Sequence, residues 1–468
     1  MVLKKKGGRE RMGTQALTYF KDRYRDYAWE PLANRSSTSI RSVYRLVRDG
    51  VPAFYIKIYD PATPVQKLVN RLRPRTLHEA RMLERLRRSG MRVPGVAAHL
   101  RCGPSSALVT EAVEPVRRLW DLDRGAQASI LLDMAVALLQ KGFFYTDLHA
   151  GNVLLDQDSR PVLIDAYEIK PLARIRRRHV IELISQVQSG YGLGDRDVGA
   201  ALARLPGQPG DTARLIGRIK RRAAELHARR VRRWIRRSLS DGSFSRRERG
   251  DGYTALVNRR FAVDIPGALA GLAPANHPAP VVAGERAYSF YPFARVGWWT
   301  TPGAIQAWKG LLTLVFNMVP CVEPVAAVVR NDRSSALITA PAHDVPDLEA
   351  WLRRGFESME YPEKRRCAAA LGGIIGDLHA KNIHHDGLVC SRLALGLDPL
   401  RVVFLPSAGV RQRRSLSLEE RLRALTRFDQ SLPVAVGRTL KLAFLKAYAQ
   451  ATGDDLRQVA RGAPMTGR

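Results

Sequence analysis

Acidic side chains are in short supply in this 468-residue chain: 44 Asp and Glu stand against 76 Lys and Arg, a formal charge of +32. Such a balance disfavours cationic partners and favours polyanions, whether nucleic acid, acidic lipid headgroups or a phosphorylated glycolipid. Cysteine is scarce and scattered, at Cys102, Cys321, Cys367 and Cys390. That excludes a disulfide framework and fits a reducing cytoplasm. No His or Cys set has zinc spacing, and His379, His384 and His385 stand without the partners a metal would need. Long apolar runs are missing too. The most apolar stretch, GLLTLVFNMVPCVEPVAAVV (310–329), is broken by Asn317, Glu323 and two prolines, so no transmembrane span is expected. No apolar core follows the basic residues of MVLKKKGGRERM, which argues against a secretory signal and predicts a disordered basic tail over 1–18. The charge is accompanied by no nucleic-acid recognition motif or aromatic stacking box, so nucleic acid is not expected as a partner.

What is present concentrates in YTDLHAGNVLLDQDSRPVLID (145–165). The runs VLL and VLI flank the turn DQDSRP and predict two short strands. Asp147, Asn152 and Asp165 are thereby gathered around one hairpin. Phosphoryl transfer needs that set: a carboxylate to deprotonate the acceptor hydroxyl, and an Asn and a carboxylate to hold Mg²⁺ on ATP phosphates. An ordinary hairpin with polar ends is the bland alternative. Upstream, VPAFYIKIYD (51–60) alternates as a strand, and Lys57 is the only charge between Pro52 and Asp60. TLHEARMLERLRRSG (76–90) predicts a helix from Leu77, Ala80, Leu83 and Leu86, stopped by Gly90. Glu79 in its first turn is the expected partner of Lys57, with Glu84 as competitor. SSALVTEAVEP (105–115) fits a strand running into a hinge, and a further helix is expected over 127–141.

These pieces occur in the order of a kinase fold. On AFYIK, HEARMLERLRRSGMRVP, YTDLHAGNVLL and VLIDAYE, the segment 36–200 resembles the bacterial lipopolysaccharide core kinases, which phosphorylate heptose or Kdo sugars and share the protein-kinase-like fold. The resemblance implies ATP and Mg²⁺ as cofactors, and action at the cytoplasmic face of the inner membrane. It implies that Lys57 contacts ATP phosphates and Glu79 holds Lys57. Asp147 would be the base, with Asn152 and Asp165 as metal ligands. The chain departs from the kinase pattern in three places. No G-x-G-x-x-G precedes the Lys strand, where NRSSTSI (34–40) offers only small hydroxyl residues whose amides could cover phosphates. Tyr145 replaces the usual His, and Asp165 is followed by Ala-Tyr rather than Phe-Gly. His149 is read as structural or substrate-facing.

The second half repeats the first. VPGVAAHL (93–100) matches VEPVAAVV (322–329) and SSALVTEA (105–112) matches SSALITAP (334–341), both at an offset of 229. That offset places Trp308 at the position of Glu79. Aligning GFFYTDL (142–148) with KNIHHDG (381–387) puts His384 ahead of Asp386 as a surviving base, Ser391 for Asn152 and Pro406 for Asp165. YSFYPFARV (288–296) is the expected Lys strand, with Phe293 in place of Lys57. Without metal ligands, charge on a transferring phosphoryl group goes unneutralised, so the second half reads as a pseudokinase.

The expected fold class is α+β: two tandem protein-kinase-like bilobal domains, each with a small antiparallel-sheet N-lobe and a helical C-lobe, over 19–240 and 241–460. Residues 241–261 are read as a connector or first hairpin of the second domain, and 267–280 as a loop. Arginines crowd DTARLIGRIKRRAAELHARRVRRWIRRSL (211–239), where Leu215, Ile219, Ala223, Leu226, Trp234 and Ile235 share a helical face interrupted by Arg230. This helix would close the first domain, bind an anionic membrane surface, or both. The expected substrate is the lipopolysaccharide core or another anionic glycolipid. A kinase for protein or an aminoglycoside, or a non-catalytic scaffold in core assembly, are the rivals. An aminoglycoside pocket should be acidic, and a scaffold has no need of Asp147, Asn152 and Asp165 together.

Overall fold

The computed structural model describes residues 16–463 apart from 33–40, 114–116, 207–210, 271–278, 284–285, 298–299, 342–345 and 398–399. Of the basic tail expected over 1–18, residues 16–18 instead begin a helix with Ala16 buried, while residues 1–15, the NRSSTSI segment and the end of the expected hinge lie outside the described residues. The chain is a mixed α and β structure with antiparallel sheets, divided into two compact units, Met1–His227 and Ala228–Arg468.

In the first unit, helix α1 (16–23) precedes a five-stranded sheet of order β1-β2-β3-β5-β4. Its strands are β1 (Ala28–Pro31), β2 (Arg41–Arg48), β3 (Val51–Tyr59), β4 (Val96–Cys102) and β5 (Ser105–Glu111). Helices α2 (Pro64–Leu72) and α3 (Arg75–Arg88) are inserted between β3 and β4. Alternation divides β3 by face. Ile56 and Ile58 join Phe20, Ala107 and Val109 in a small core on one side. Lys57 stands between them in sequence and so points to the other side, opposite Leu108 in register. The larger core runs from Leu83 and Leu86 of α3 through helix α4 (Arg124–Gln140) to α5 (Arg177–Tyr191) and α6 (Asp195–Ala203). Helix α7 (Thr212–Arg237) contributes Leu215 and Ile219 to that core. Further along α7, past the unit boundary, Ile235 packs on the core of the second unit and the Trp234 ring lies 5.2 Å from that of Phe316. The apolar stripe of α7 is thus largely buried, while Trp234 stays 36% exposed with Arg230 over its ring.

The second unit opens with the hairpin β11 (Ser245–Gly250) and β12 (Tyr253–Asn258). Its six-stranded sheet has the order β11-β12-β15-β16-β14-β13, with β13 (Ala279–Ala283), β14 (Arg286–Phe293), β15 (Pro324–Arg330) and β16 (Ser335–Thr339). Read from the far edge, β13-β14-β16-β15 repeats β2-β3-β5-β4, and helix α9 (Gly303–Phe316) stands in the chain where α3 does. The expected loop over 267–280 contains the end of helix α8 (Ile265–Ala270) and the start of β13, with 271–278 outside the described residues. Helices α11 (Tyr361–Ala380) and α13 (Arg438–Thr452) contribute Leu371, Ile375, Phe444 and Tyr448 to the main core of this unit. Among the described residues no helix is long and apolar enough to cross a membrane.

Strand register and helix caps correct the correspondence expected between the halves. In β3 and β5, Lys57 faces Leu108; in β14 and β16, Tyr291 faces Leu337, the residue 229 after Leu108. Tyr291 therefore occupies the Lys57 position and Phe293 that of Tyr59. Helices α3 and α9 are both 14 residues long and capped by Pro74 and Pro302, an offset of 228. The buried positions Thr76, Glu79, Ala80, Leu83 and Leu86 then fall on Ala304, Ala307, Trp308, Leu311 and Leu314, all of them buried. Ala307 thus replaces Glu79, and Trp308 replaces Ala80. The extra residue that separates the two offsets lies in the turn between β15 and β16. Cys102 faces Ser105 in the first hairpin, whereas Arg330 bonds back to Ser334 in the second.

Candidate active site

Three elements bring the ion pair and its acceptor together. From the cleft side of β3, the Lys57 ammonium donates to Glu79 Oε1 of α3 at 2.5 Å and to the Ile164 carbonyl at 2.7 Å. Both side chains are nearly sealed, with 10% and 6% exposed. A buried charge is tolerated only when paired and hydrogen-bonded, so Lys57, Glu79 and the chain just before Asp165 determine one another's positions. The competitor Glu84 faces outward and meets Arg88 one turn along its own helix at 3.7 Å.

The loop below the sheet is assembled by short-range bonds. Strand β7 (Phe143–Tyr145) pairs with β10 (Ile169–Pro171), and β8 (Val153–Leu155) forms a hairpin with β9 (Pro161–Leu163). Asp156 caps the hairpin turn by accepting from the Asp158 and Arg160 amides, and Ser159 takes the left-handed φ of +59° there. Between β7 and β8, Asn152 ends a single 3-10 turn over Ala150–Asn152. Its carboxamide nitrogen donates to the Tyr145 hydroxyl at 2.7 Å and the Asp147 carbonyl at 3.0 Å. With the nitrogen so engaged, the carboxamide oxygen is the atom Asn152 offers to a cation. Burial, followed by the Asp165 and Asp147 carboxylates, pushes the Tyr145 phenol far above its ordinary range and keeps it protonated. Tyr145 thus performs by hydroxyl the orienting task expected of a His.

Asp147 itself is exposed, with 60% of its side chain open. His149 Nδ1 accepts from the Gly151 amide at 3.0 Å, which leaves Nε2 as the protonated nitrogen of the neutral ring. That atom lies 3.6 Å from Asp147 Oδ2. His149 is therefore both a loop cap and a neighbour of the expected base. Trp120, 39% exposed, borders the same loop: its ring would lie 3.5 Å from a Cβ at Gly151, and the Arg118 guanidinium covers it at 5.1 Å.

Asp165 follows β9 at the mouth of the cleft. Burial alone would raise its pKa, but the Lys57 ammonium and Arg41 guanidinium, with the Tyr167 amide, outweigh it and hold the carboxyl below its usual range. The Arg41 contact was not foreseen from sequence. Arg41 opens β2 and reaches Asp165 Oδ2 at 3.1 Å from 124 residues away. The only local cue was an Arg placed directly after the small-residue run 34–40. Tyr167 ties this segment to α3, its ring edge-on to His78 and covered by Arg75.

The structure thus brings Lys57, Glu79, Asn152 and Asp165 together with the main chain of Asp147. The donor types, one ionised carboxylate and one carboxamide oxygen, are those that a hard cation such as Mg²⁺ takes. Among the described residues no cluster of three His, Cys, Asp or Glu forms a protein-only metal site.

In the second unit the equivalent loop also departs from expectation. Strands β17 (Ile383–His385) and β20 (Val410–Gln412) pair as β7 and β10 do, with His385 opposite Val410 where Tyr145 faces Ile169. The left-handed residue before each strand is Gly142 in one unit and Asn382 in the other. The 3-10 turn Cys390–Arg392 stands for Ala150–Asn152. Offset by 240, Asp386 replaces Thr146 and Gly387 replaces Asp147, so the base expected there is gone. Arg392, not Ser391, replaces Asn152, and its guanidinium donates to the Pro406 carbonyl at 3.2 Å. Leu405 donates to Arg392 as Ile164 does to Asn152, which keeps Pro406 at the Asp165 position.

No protein-family model matches the chain, and no curated protein is significantly similar to it. Among solved structures, it is similar to WaaP in complex with acyl carrier protein, at 19% identity over 46% of this chain and 81% of that one, with a TM-score of 0.32. It is also similar to the bifunctional kinase-methyltransferase WbdD, at 20% identity over 42% of this chain and 46% of that one, with a TM-score of 0.30. The match spans less than half the length of the WbdD chain.

Proposed function

We propose that the first unit is an ATP- and Mg²⁺-dependent phosphotransferase acting on a hydroxyl of a heptose or Kdo sugar in the lipopolysaccharide core, at the cytoplasmic face of the inner membrane. The observation that carries the reading is the convergence of Lys57 from β3, Glu79 from α3 and the Ile164–Asp165 segment, 22 and 107 residues apart in the chain. Asp147 accepts the proton of the acceptor hydroxyl. The freed oxygen attacks the γ-phosphorus, and the bond to the β–γ bridging oxygen breaks with ADP leaving. Lys57, held by Glu79, steadies the phosphates, and Asn152 and Asp165 would hold the cation. Mg²⁺ when bound supplies charge neutralisation on the transferring group. The sugar acceptor is supported by the sequence resemblance, and the exposed Trp120 face beside the Asp147 loop supplies an amphipathic surface suited to it. The second unit, on this reading, is a degenerate copy in a supporting role, and the two units correspond to tandem kinase-like domains.

One observation favours a non-catalytic scaffold instead: Arg41 already satisfies the Asp165 carboxylate that a cation would need. Thermal stabilisation of the full chain by Mg·ATP separates the two. The kinase reading expects a rise in melting temperature that Asp165→Ala removes, whereas the scaffold reading expects none in either protein. The acceptor is tested by mass spectrometry of core oligosaccharide from wild-type and Asp147→Ala cells. Identical phosphorylation in both would rule out that substrate.

A further inference from the structure

Helix α2 is built inside out. Val65, Leu68, Val69 and Leu72 recur at helical spacing and are 71%, 59%, 53% and 74% exposed, while the polar Asn70 is 2% exposed. Asn70 anchors the helix to the β4–β5 turn, donating to the Pro104 carbonyl at 2.7 Å and Ser106 Oγ at 3.2 Å and accepting from the Arg75 amide. A Thr63–Gln66 capping box closes the N-terminus. The helix is therefore held in place by polar contacts and presents its apolar face to solvent, the reverse of a helix packed on a core.

We propose that α2 seats the protein on an anionic lipid surface, with these four side chains in the headgroup–acyl boundary. Charge complementarity identifies the occupant. Residues 61–78 contain no Asp or Glu but carry Lys67, Arg71, Arg73 and Arg75. Arg71 and Arg73 are exposed beside the apolar face, and Arg101 donates to the Arg71 carbonyl, adding a further cation. A basic rim around a short apolar face is what an interfacial helix presents to acidic headgroups. A second copy is disfavoured because a two-fold contact would set two basic rims against each other. At nine residues the helix is about 14 Å long, too short to cross a bilayer, so it lies in the interface plane. The arginine-rich α7 lacks this property, because its Leu215, Ile219 and Val231 are buried. The proposal shares with the kinase reading only the anionic surface where the substrate lies, and vesicle binding is measured without turnover, so either can fail alone.

The test is flotation of the full chain with phosphatidylcholine vesicles, pure or containing about one third phosphatidylglycerol. Leu68→Ser with Leu72→Ser should weaken binding to the anionic vesicles about tenfold, and Arg71→Glu with Arg73→Glu should do the same. Unchanged binding of the Leu68/Leu72 variant would overturn the proposal. So would a wild-type dimer that this variant dissociates in sedimentation velocity while its vesicle binding persists, because that result assigns the face to a second copy. Leu68→Trp gives an independent readout: its fluorescence should shift to the blue on adding anionic vesicles, and the absence of a shift contradicts the proposal.

Discussion

The two units share a strand order and a helix position, and they part company at every polar position of the cleft. Lys57, Glu79, Asp147, Asn152 and Asp165 stand opposite Tyr291, Ala307, Gly387, Arg392 and Pro406. The apolar frame persists: every buried position of α3 is buried in α9 too, which adds Leu312 and Thr313 where α3 exposes Glu84 and Arg85. A buried ion pair is costly to desolvate, and replacement by packed apolar groups is often neutral or stabilising. Packed apolar groups can therefore stand in the second unit without structural cost, whereas the first carries the pair, which on the proposed reading steadies the nucleotide phosphates. Tyr291 illustrates the substitution: burial pushes its phenol up to about 12, so it stays neutral where Lys57 is charged.

The largest expected effect is on phosphate transfer. Asp147→Ala should reduce it by roughly 10³-fold, while Asp386→Ala, at the Thr146 position, should leave it within twofold in the same assay with core oligosaccharide. Comparable losses from both would break the contrast between the units. Next, Glu79→Ala strands a buried ammonium and should destabilise the first unit by about 3–5 kcal/mol in urea titration. Ala307→Glu should destabilise the second unit similarly, because the incoming carboxylate meets Tyr291 rather than a lysine. A neutral Ala307→Glu would show that the second cleft is still polar.

A third difference lies in acid. His385 and His379 of the second unit are held neutral by burial, then by Arg392 and Arg421 respectively, at about 4 and about 3. Their folded values lie below the unfolded value of ~6.5, so their contribution is complete above about pH 6.5. It declines as pH falls towards 4, by an amount of order 3 kcal/mol for His385. In the first unit Asp165 loses its contribution only below about pH 4, and the half-buried His99 and His179 are lowered less, by burial and then by Arg101 and Arg178 respectively. Hydrogen exchange should therefore show the second unit loosening first between pH 6.5 and 4, and His385→Tyr should reduce that gap. The smallest effect is expected at Arg41, whose side chain is 39% exposed. Arg41→Gln should cost the first unit at most about 1 kcal/mol, by thermal melting without nucleotide.

Much of the first cleft was legible because its residues sit in local patterns. The strand around Lys57, the helix that opens near Glu79 and the Asp147-to-Asn152 loop each announce themselves within about ten residues, and the hairpin before Asp165 follows from DQDSRP. Arg41 was not legible, since nothing local says that the first residue of β2 reaches a carboxylate 124 positions away. Pro406 held its expected place, but the counterparts of Lys57, Glu79, Asp147 and Asn152 were displaced by one or two residues for a related reason. The identical VAA and SSAL runs suggested an ungapped match, but one extra turn residue separates them. A slip of one residue in a strand or helix hands the pocket to a different side chain.

The sequence alone determined the inventory: which half carries Lys, Glu, Asn and two Asp in kinase order, and a net charge suited to anionic partners. Tertiary structure decided which atoms meet. It chose Glu79 over Glu84, brought Arg41 to Asp165, assigned Tyr291, Ala307 and Gly387 to the second cleft, and turned the apolar face of α2 outward while burying that of α7. The physical reason is range. Periodicity and turn chemistry act over a few residues, whereas strand register and the pairing of buried charges are settled by contacts between segments far apart in the chain.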